Sequence, residues 1–280
     1  MVKWGRVAYR YARKYAVPLM KEADRAKFDD LMGRVGPLLE QADDTTRQML
    51  LPALADGQVG LVLDTKLTSK QFLANVPPTD KPLPMIEPAL IFGVSDPALL
   101  EKAVARYWTI ANGLVDAARQ WEGSNIPDDF KIPAAVRTEI PHGAMYSYAL
   151  PKEWGVDPKV QPNAAVAGHV AVLSVSRDHS ERLLRATPPV VGGRTLTTDR
   201  PLAVAGGIDF AGLLDAVAPW VDFAFERAAG EQSSEQLEPI RQQVKTVLEV
   251  LKVFRHVTFE SYRDGDVFVT HSRAEMKDVE

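Results

Sequence analysis

One order of positions recurs four times along the chain: an apolar run, an oxygen-bearing residue, then a bulky apolar pair three and four residues on. The copies are Val59 to Lys66 with Ser69 and Phe72-Leu73, Pro88 to Val94 with Asp96 and Leu99-Leu100, and Ala164 to Val175 with Ser180 and Leu183-Leu184. A fourth, slipped by one residue, is Leu202 to Ile208 with Asp209 and Leu213-Leu214. Each predicts a strand, a helix N-cap and a helix seated on the sheet. The cap oxygen accepts from free N–H groups of the first turn, and the apolar pair shares one helical face. Such a recurrence specifies a scaffold and marks no catalytic centre.

Between these units the pattern is mostly helical or proline-rich. Trp4, Ala8, Tyr11 and Tyr15 recur at helical spacing, Pro18 opens a second helix, and a third follows Gly36, so residues 1–50 read as helices. Pro77, Pro78, Pro82, Pro84 and Pro88 predict a stiff, extended connector. The strongest helix runs from Pro97 to Trp121 behind Asp96 as its cap. Two further helices are expected from Phe210 to Ala228 and through Leu237 to Phe254. Segments 135–140 and 144–150 flank Pro141-His142-Gly143 as a hairpin, and a second hairpin, turned at Arg263-Asp264-Gly265, closes the chain.

Strands alternating with helices suit a parallel sheet, but hairpins are antiparallel features. The predicted class is therefore α+β, with antiparallel sheets and long amphipathic helices packed on one face. A helical segment over 1–50 is followed by α+β halves at 51–190 and 191–280, divided within Thr187 to Pro201, or by one domain containing both.

With 280 residues and 46% apolar content the chain can bury a full core. No uncharged apolar run approaches the roughly 18 residues of a membrane span. Met1 leads into Lys3, Trp4 and Arg6 without an apolar core, so no secretory signal reads in these residues. The lack of cysteine excludes disulfides, thiolate metal sites, iron–sulfur clusters and a cysteine nucleophile.

The net charge of −4 hides an asymmetry. Lys3, Arg6, Arg10, Arg13, Lys14 and Lys21 stand without an acid among residues 1–21, while the rest of the chain carries 27 bases against 37 acids. An aromatic stripe beside a basic flank makes Arg6, Arg10, Arg13 and Lys14 candidates for contact with a membrane or another anion. The plainer reading packs that stripe on the body and leaves the bases in water. Nucleic acid is disfavoured because no second basic patch continues the first.

The terminal hairpin offers a metal-ligand set in His256, Glu260 and His271. A two-residue turn at Asp264-Gly265 would put all three on one face. A three-residue loop would instead pair 257 with 271 and 259 with 269, uniting Val257, Phe259, Val267 and Val269 and separating the histidines. The second register buries more apolar surface and is the expected one, so no metal or other cofactor is assigned. Asp29-Asp30, Asp43-Asp44 and Asp128-Asp129 read as solvated helix ends or loops. His142 reads as a turn residue, His169 as a satisfied core histidine, and Arg194 as an exposed loop arginine. Phosphate loops, nucleophile elbows, dinucleotide fingerprints and His-Glu-x-x-His are not found.

Leu51-Pro52-Ala53-Leu54-Ala55-Asp56-Gly57-Gln58 before Leu61 to Lys66, followed by Glu87-Pro88-Ala89-Leu90 and Val94-Ser95-Asp96, resembles uncharacterised exported proteins of planctomycete-type bacteria. The similarity, to a domain family of unknown function, covers residues 50–275. It implies a non-enzymatic protein of the cell envelope, outside the cytoplasm, and supplies no catalytic residues. The residues alone lead to a binding or structural module with a protein or small-molecule partner. The alternative is a hydrolase whose site is assembled only by the fold.

Overall fold

The computed structural model describes residues 2–121, 124–185, 190–191, 194–195, 201–229 and 234–277. Helix α1 (Val2–Tyr11) runs through a wide π turn at Ala12–Ala16 and a tight turn at Val17–Leu19 into α2 (Glu22–Thr45). A single turn, α3 (Leu51–Ala53), then leads to β1 (Val59–Ser69), β2 (Leu83–Gly93) and α4 (Pro97–Arg119). Two hairpins follow, β3 (Val136–Ile140) with β4 (Gly143–Ser147) and β5 (Asn163–Ala167) with β6 (Val170–Ser174). Next come α5 (Arg177–Leu184), the short pair β7 (Val190–Val191) and β8 (Arg194–Thr195), and β9 (Val204–Asp209). The chain closes with α6 (Phe210–Ala229), α7 (Ser234–Leu251), β10 (Phe254–Asp264) and β11 (Val267–Met276).

The class is α+β with antiparallel sheets, as the hairpins predicted. One sheet has six strands in the order β1-β2-β6-β5-β4-β3, the other three in the order β11-β10-β9. The chain forms two compact units, each built from separated segments: 1–60, 90–148 and 164–172 in the first, 61–89, 149–163 and 173–280 in the second. Of the passage 187–201, where two contiguous halves were expected to meet, most lies outside the described residues.

In the first unit α2 packs along α4, and the Thr46 and Tyr107 hydroxyls meet at 2.5 Å. Its core gathers Ala53, Val94, Leu100 and Ala171 with Leu50, Leu54, Phe92, Leu99 and Val166 around them. Leu99 and Leu100 are the apolar pair behind Asp96, whose Oδ1 accepts from the Leu99 N–H at 2.9 Å. Here the predicted cap and seat are observed together.

The second unit repeats the device once. Asp209 Oδ1 accepts from the Gly212 N–H at 2.9 Å, although Leu213 remains exposed. The Trp220 indole donates to the Pro84 carbonyl at 2.6 Å and stacks on Phe72, while Asp222 accepts from Arg241 and pairs with Lys245 to join α6 to α7.

The other two copies differ from expectation. No helix follows Ser69: its hydroxyl donates to Asp157, and Leu73 pairs with Val156 in an isolated bridge. Pro77, Pro78 and Pro82 deny this stretch helical donors. The run 164–175 is two strands, turned at Gly168 with φ of 55°, and the cap of α5 is Ser176, not Ser180. Pro84 and Pro88, expected in a connector, lie within β2.

Two expectations about side-chain placement are also corrected. Tyr11 is 62% and Tyr15 57% exposed, so these members of the aromatic stripe do not pack on the body. In the terminal hairpin Asp264 pairs with Val267 and Glu260 with His271, a two-residue turn centred on Gly265 and Asp266. Gly265 takes φ of 59°, the positive angle that a first loop position needs in such a turn. That local geometry sets the register, and His256, Glu260 and His271 share one face of the sheet.

Candidate functional site

Sharing a face does not bring the three candidate ligands together. Glu260 Oε1 lies 3.7 Å from His271 Nδ1, while His256 Nε2 lies 3.5 Å from Glu275 Oε2. His256 and Glu260 are four residues apart on β10, about 13 Å at ordinary strand rise. The hairpin thus carries two separate His–Glu cross-strand pairs. Among the described residues no group of three or more His, Asp or Glu side chains can hold a metal ion.

The other sequence candidates resolve into local contacts. Arg13 donates to Asp29 at 2.8 Å and to the Tyr9 hydroxyl at 3.0 Å, whereas Arg10 and Lys14 are exposed. The Arg6 side chain lies outside the described residues. Asp30 pairs with Arg34 and Asp44 with Arg47 as helix-surface ion pairs, whereas Asp43, expected in solvent, is only 5% exposed and pairs with Arg47 one helical turn on. Asp128 and Asp129 are exposed in a turn. His169, expected in the core, occupies the exposed β5–β6 turn, with Nδ1 3.0 Å from the Val94 carbonyl. Gly192, Gly193 and the Arg194 side chain are outside the described residues.

The densest chemistry is a buried network in the second unit that no sequence motif marks. Glu87, 1% exposed on β2, accepts from the Ser176 hydroxyl at 2.5 Å, the Leu67 N–H at 2.8 Å and the Arg182 guanidinium at 2.9 Å. Arg182 also donates to Asp64 at 3.1 Å. Ser176 is the N-cap of α5 and accepts from the His179 N–H at 3.2 Å, and Ser180 one turn later donates to Asn163 at 2.6 Å. Paired and multiply hydrogen-bonded, Glu87 meets the condition under which a carboxylate survives burial.

His179 stands apart within that network. Its ring is fully buried, and neither Nδ1 nor Nε2 has a hydrogen-bond partner. Burial pushes its pKa below the ordinary imidazole value; Glu87 opposes this and Arg182 adds to it. The imidazole is therefore neutral near pH 7. For Asp64, burial pushes the pKa upward, but the Thr65 N–H, Lys66 and Arg182 outweigh it and hold the group below the usual carboxylate value. Serine, histidine and carboxylate are all present, yet the hydroxyl donates to the carboxylate and not to the imidazole.

Polar groups open to solvent collect elsewhere, in the first unit. A cleft of about 500 Å³ lies beside the first turn of α4 and the β3–β4 turn, lined by Pro97, Glu101, Arg137, Glu139, His142 and Gly168 among others. Tyr146 ties it together: its hydroxyl donates to Glu101 at 2.9 Å and accepts from Arg137 at 3.3 Å, and burial raises its pKa. Arg137 also pairs with Glu139. At the rim His142 holds φ of 65°, the one non-glycine at positive φ among the described residues. Its successor Gly143 is required sterically, since a Cβ there would lie 1.9 Å from the Val166 carbonyl oxygen. The sequence predicts the turn at His142, whereas Glu101 and Tyr146 carry no local signal because they meet only across helix and sheet.

No protein-family model matches the chain, and no curated protein or solved structure matches it.

Proposed function

We propose that the chain is a non-enzymatic binding or structural module whose ligand-facing surface is the cleft around Glu101, Arg137, Glu139 and His142. The observation that carries this reading is the commitment of Ser176. Its hydroxyl is spent on Glu87 and on the cap of α5, and the neighbouring imidazole has no polar partner. The nucleophile-to-base link on which acyl transfer depends is therefore not formed within this network. The cleft, in contrast, presents both signs of charge to water with Tyr146 fixing two of them. Glu101 and Glu139 suit a small polar molecule bearing a cationic group. The resemblance to exported proteins extends the proposal to the bacterial envelope.

Titration with a panel of small amines and amino acids, followed by amide chemical shifts, tests the reading. Shifts confined to residues 137–143 and the start of α4, weakened about tenfold by Glu101→Gln, support it. Turnover of ester, phosphate or glycoside substrates that disappears on replacing His142, His169 or His179 would reverse it in favour of a hydrolase.

A further inference from the structure

We infer that residues 9–21 form a docking surface for an anionic lipid membrane, distinct from the cleft. Along this stretch two rows lie side by side at helical spacing: Tyr11 with Tyr15, stacked at 5.8 Å between ring centroids, and Arg10 with Lys14. Both rows face solvent, and farther along the stretch Leu19, 86% exposed, and Met20 expose aliphatic side chains as well. The Lys14 ammonium lies 5.3 Å from the centroid of the Tyr15 ring. Lys21 adds an exposed cation, and no acid occurs before Glu22.

The occupant follows from charge and from the kind of side chain exposed. Six bases and no acid among residues 1–21 call for an anionic partner, while the remaining balance of −10 repels one from the rest of the chain. Tyrosines suit the headgroup level of a bilayer, aliphatic chains the acyl boundary, and long cations the phosphate layer. Nucleic acid would use the cations and tyrosines but leave Leu19 and Met20 without a role. Arg13 is held by Asp29 of α2, which fastens the surface to the helical body and leaves Arg10, Lys14 and Lys21 for the lipid.

Flotation of the full chain with vesicles of phosphatidylcholine containing 30% phosphatidylserine, against pure phosphatidylcholine, tests the inference. The expected result is flotation only with the anionic vesicles, released by 0.5 M salt because the attraction is screened. Joint Arg10→Glu and Lys14→Glu replacement should lower binding at least tenfold, and joint Tyr11→Ser and Tyr15→Ser severalfold, with unchanged circular dichroism. If either variant misfolds, the lipid and salt dependence of the unaltered chain still decides. Failure to float with anionic vesicles, equal flotation after charge reversal in a folded variant, or retention on duplex DNA without flotation would each overturn it.

Discussion

The hydroxyl of Ser176 donates to Glu87 at 2.5 Å while accepting from the backbone of His179 at 3.2 Å. One small side chain thereby caps a helix and satisfies a buried carboxylate on a strand. Ser176→Ala removes both bonds and should cost about 2 kcal/mol, the sum expected for a lost cap and a weakened buried acceptor. Urea denaturation followed by circular dichroism measures it, and a loss below about 0.5 kcal/mol would show the two contacts to be energetically idle.

Glu87→Gln should destabilise the fold by about 3–5 kcal/mol, because Arg182 is then left without its most buried counter-charge. Joint replacement of Glu87 and Arg182 by methionine should restore part of that loss, because it removes the unpaired charge while the Leu67 N–H and the Ser176 hydroxyl still lose their acceptor. With Glu87→Met and Arg182→Met also measured singly, a double-mutant cycle read by thermal melts checks the coupling; additive losses would show the pair to be uncoupled.

Stability should fall as pH drops below about 6.5. Burial holds the folded-state pKa of His179 below the unfolded value, so between those values the unfolded chain binds a proton that the native chain refuses. Asp64 is held low by the Thr65 N–H, Lys66 and Arg182 against its burial, and Asp222 by Lys245 and Arg241, so their losses come only at more acidic pH. His179→Met should flatten the decline between pH 7 and 5 in urea midpoints. An unchanged slope would assign it to another group.

The β3–β4 turn should respond oppositely at adjacent positions. His142→Gly relieves the positive φ and should stabilise by up to about 1 kcal/mol. Gly143→Ala forces a methyl group into the Val166 carbonyl and should cost at least about 2 kcal/mol. Melting temperatures of the two variants decide, and a tolerated alanine would mean that β5 yields easily.

What could be read from the chain was whatever depends on neighbours in sequence. Asp96 with Leu99-Leu100 and Asp209 with its helix are cap patterns closed within four residues, and both caps are found. The run 164–175 misled because it conceals a turn at Gly168, where φ and not hydrophobicity decides, and Ser180 misled because Ser176, four residues earlier, takes the cap. The terminal hairpin misled for a related reason: apolar coherence favoured one register, while the turn at Gly265 imposed another. Glu87 was invisible because, beside Pro88, it reads as one more polar residue of a loop. Only Ser176 and Arg182, 89 and 95 residues away, reveal it as the centre of a network. Serines at 174, 176 and 180 on the edge of an apolar run were the available hint.

Each compact unit is stitched from three stretches, and the chain crosses between them five times. A stop codon or protease cut at any interior point from residue 61 to 172 therefore removes part of both units, so deletion series would report loss of folding and not loss of a separable activity. Function in this molecule has to be dissected by point replacements.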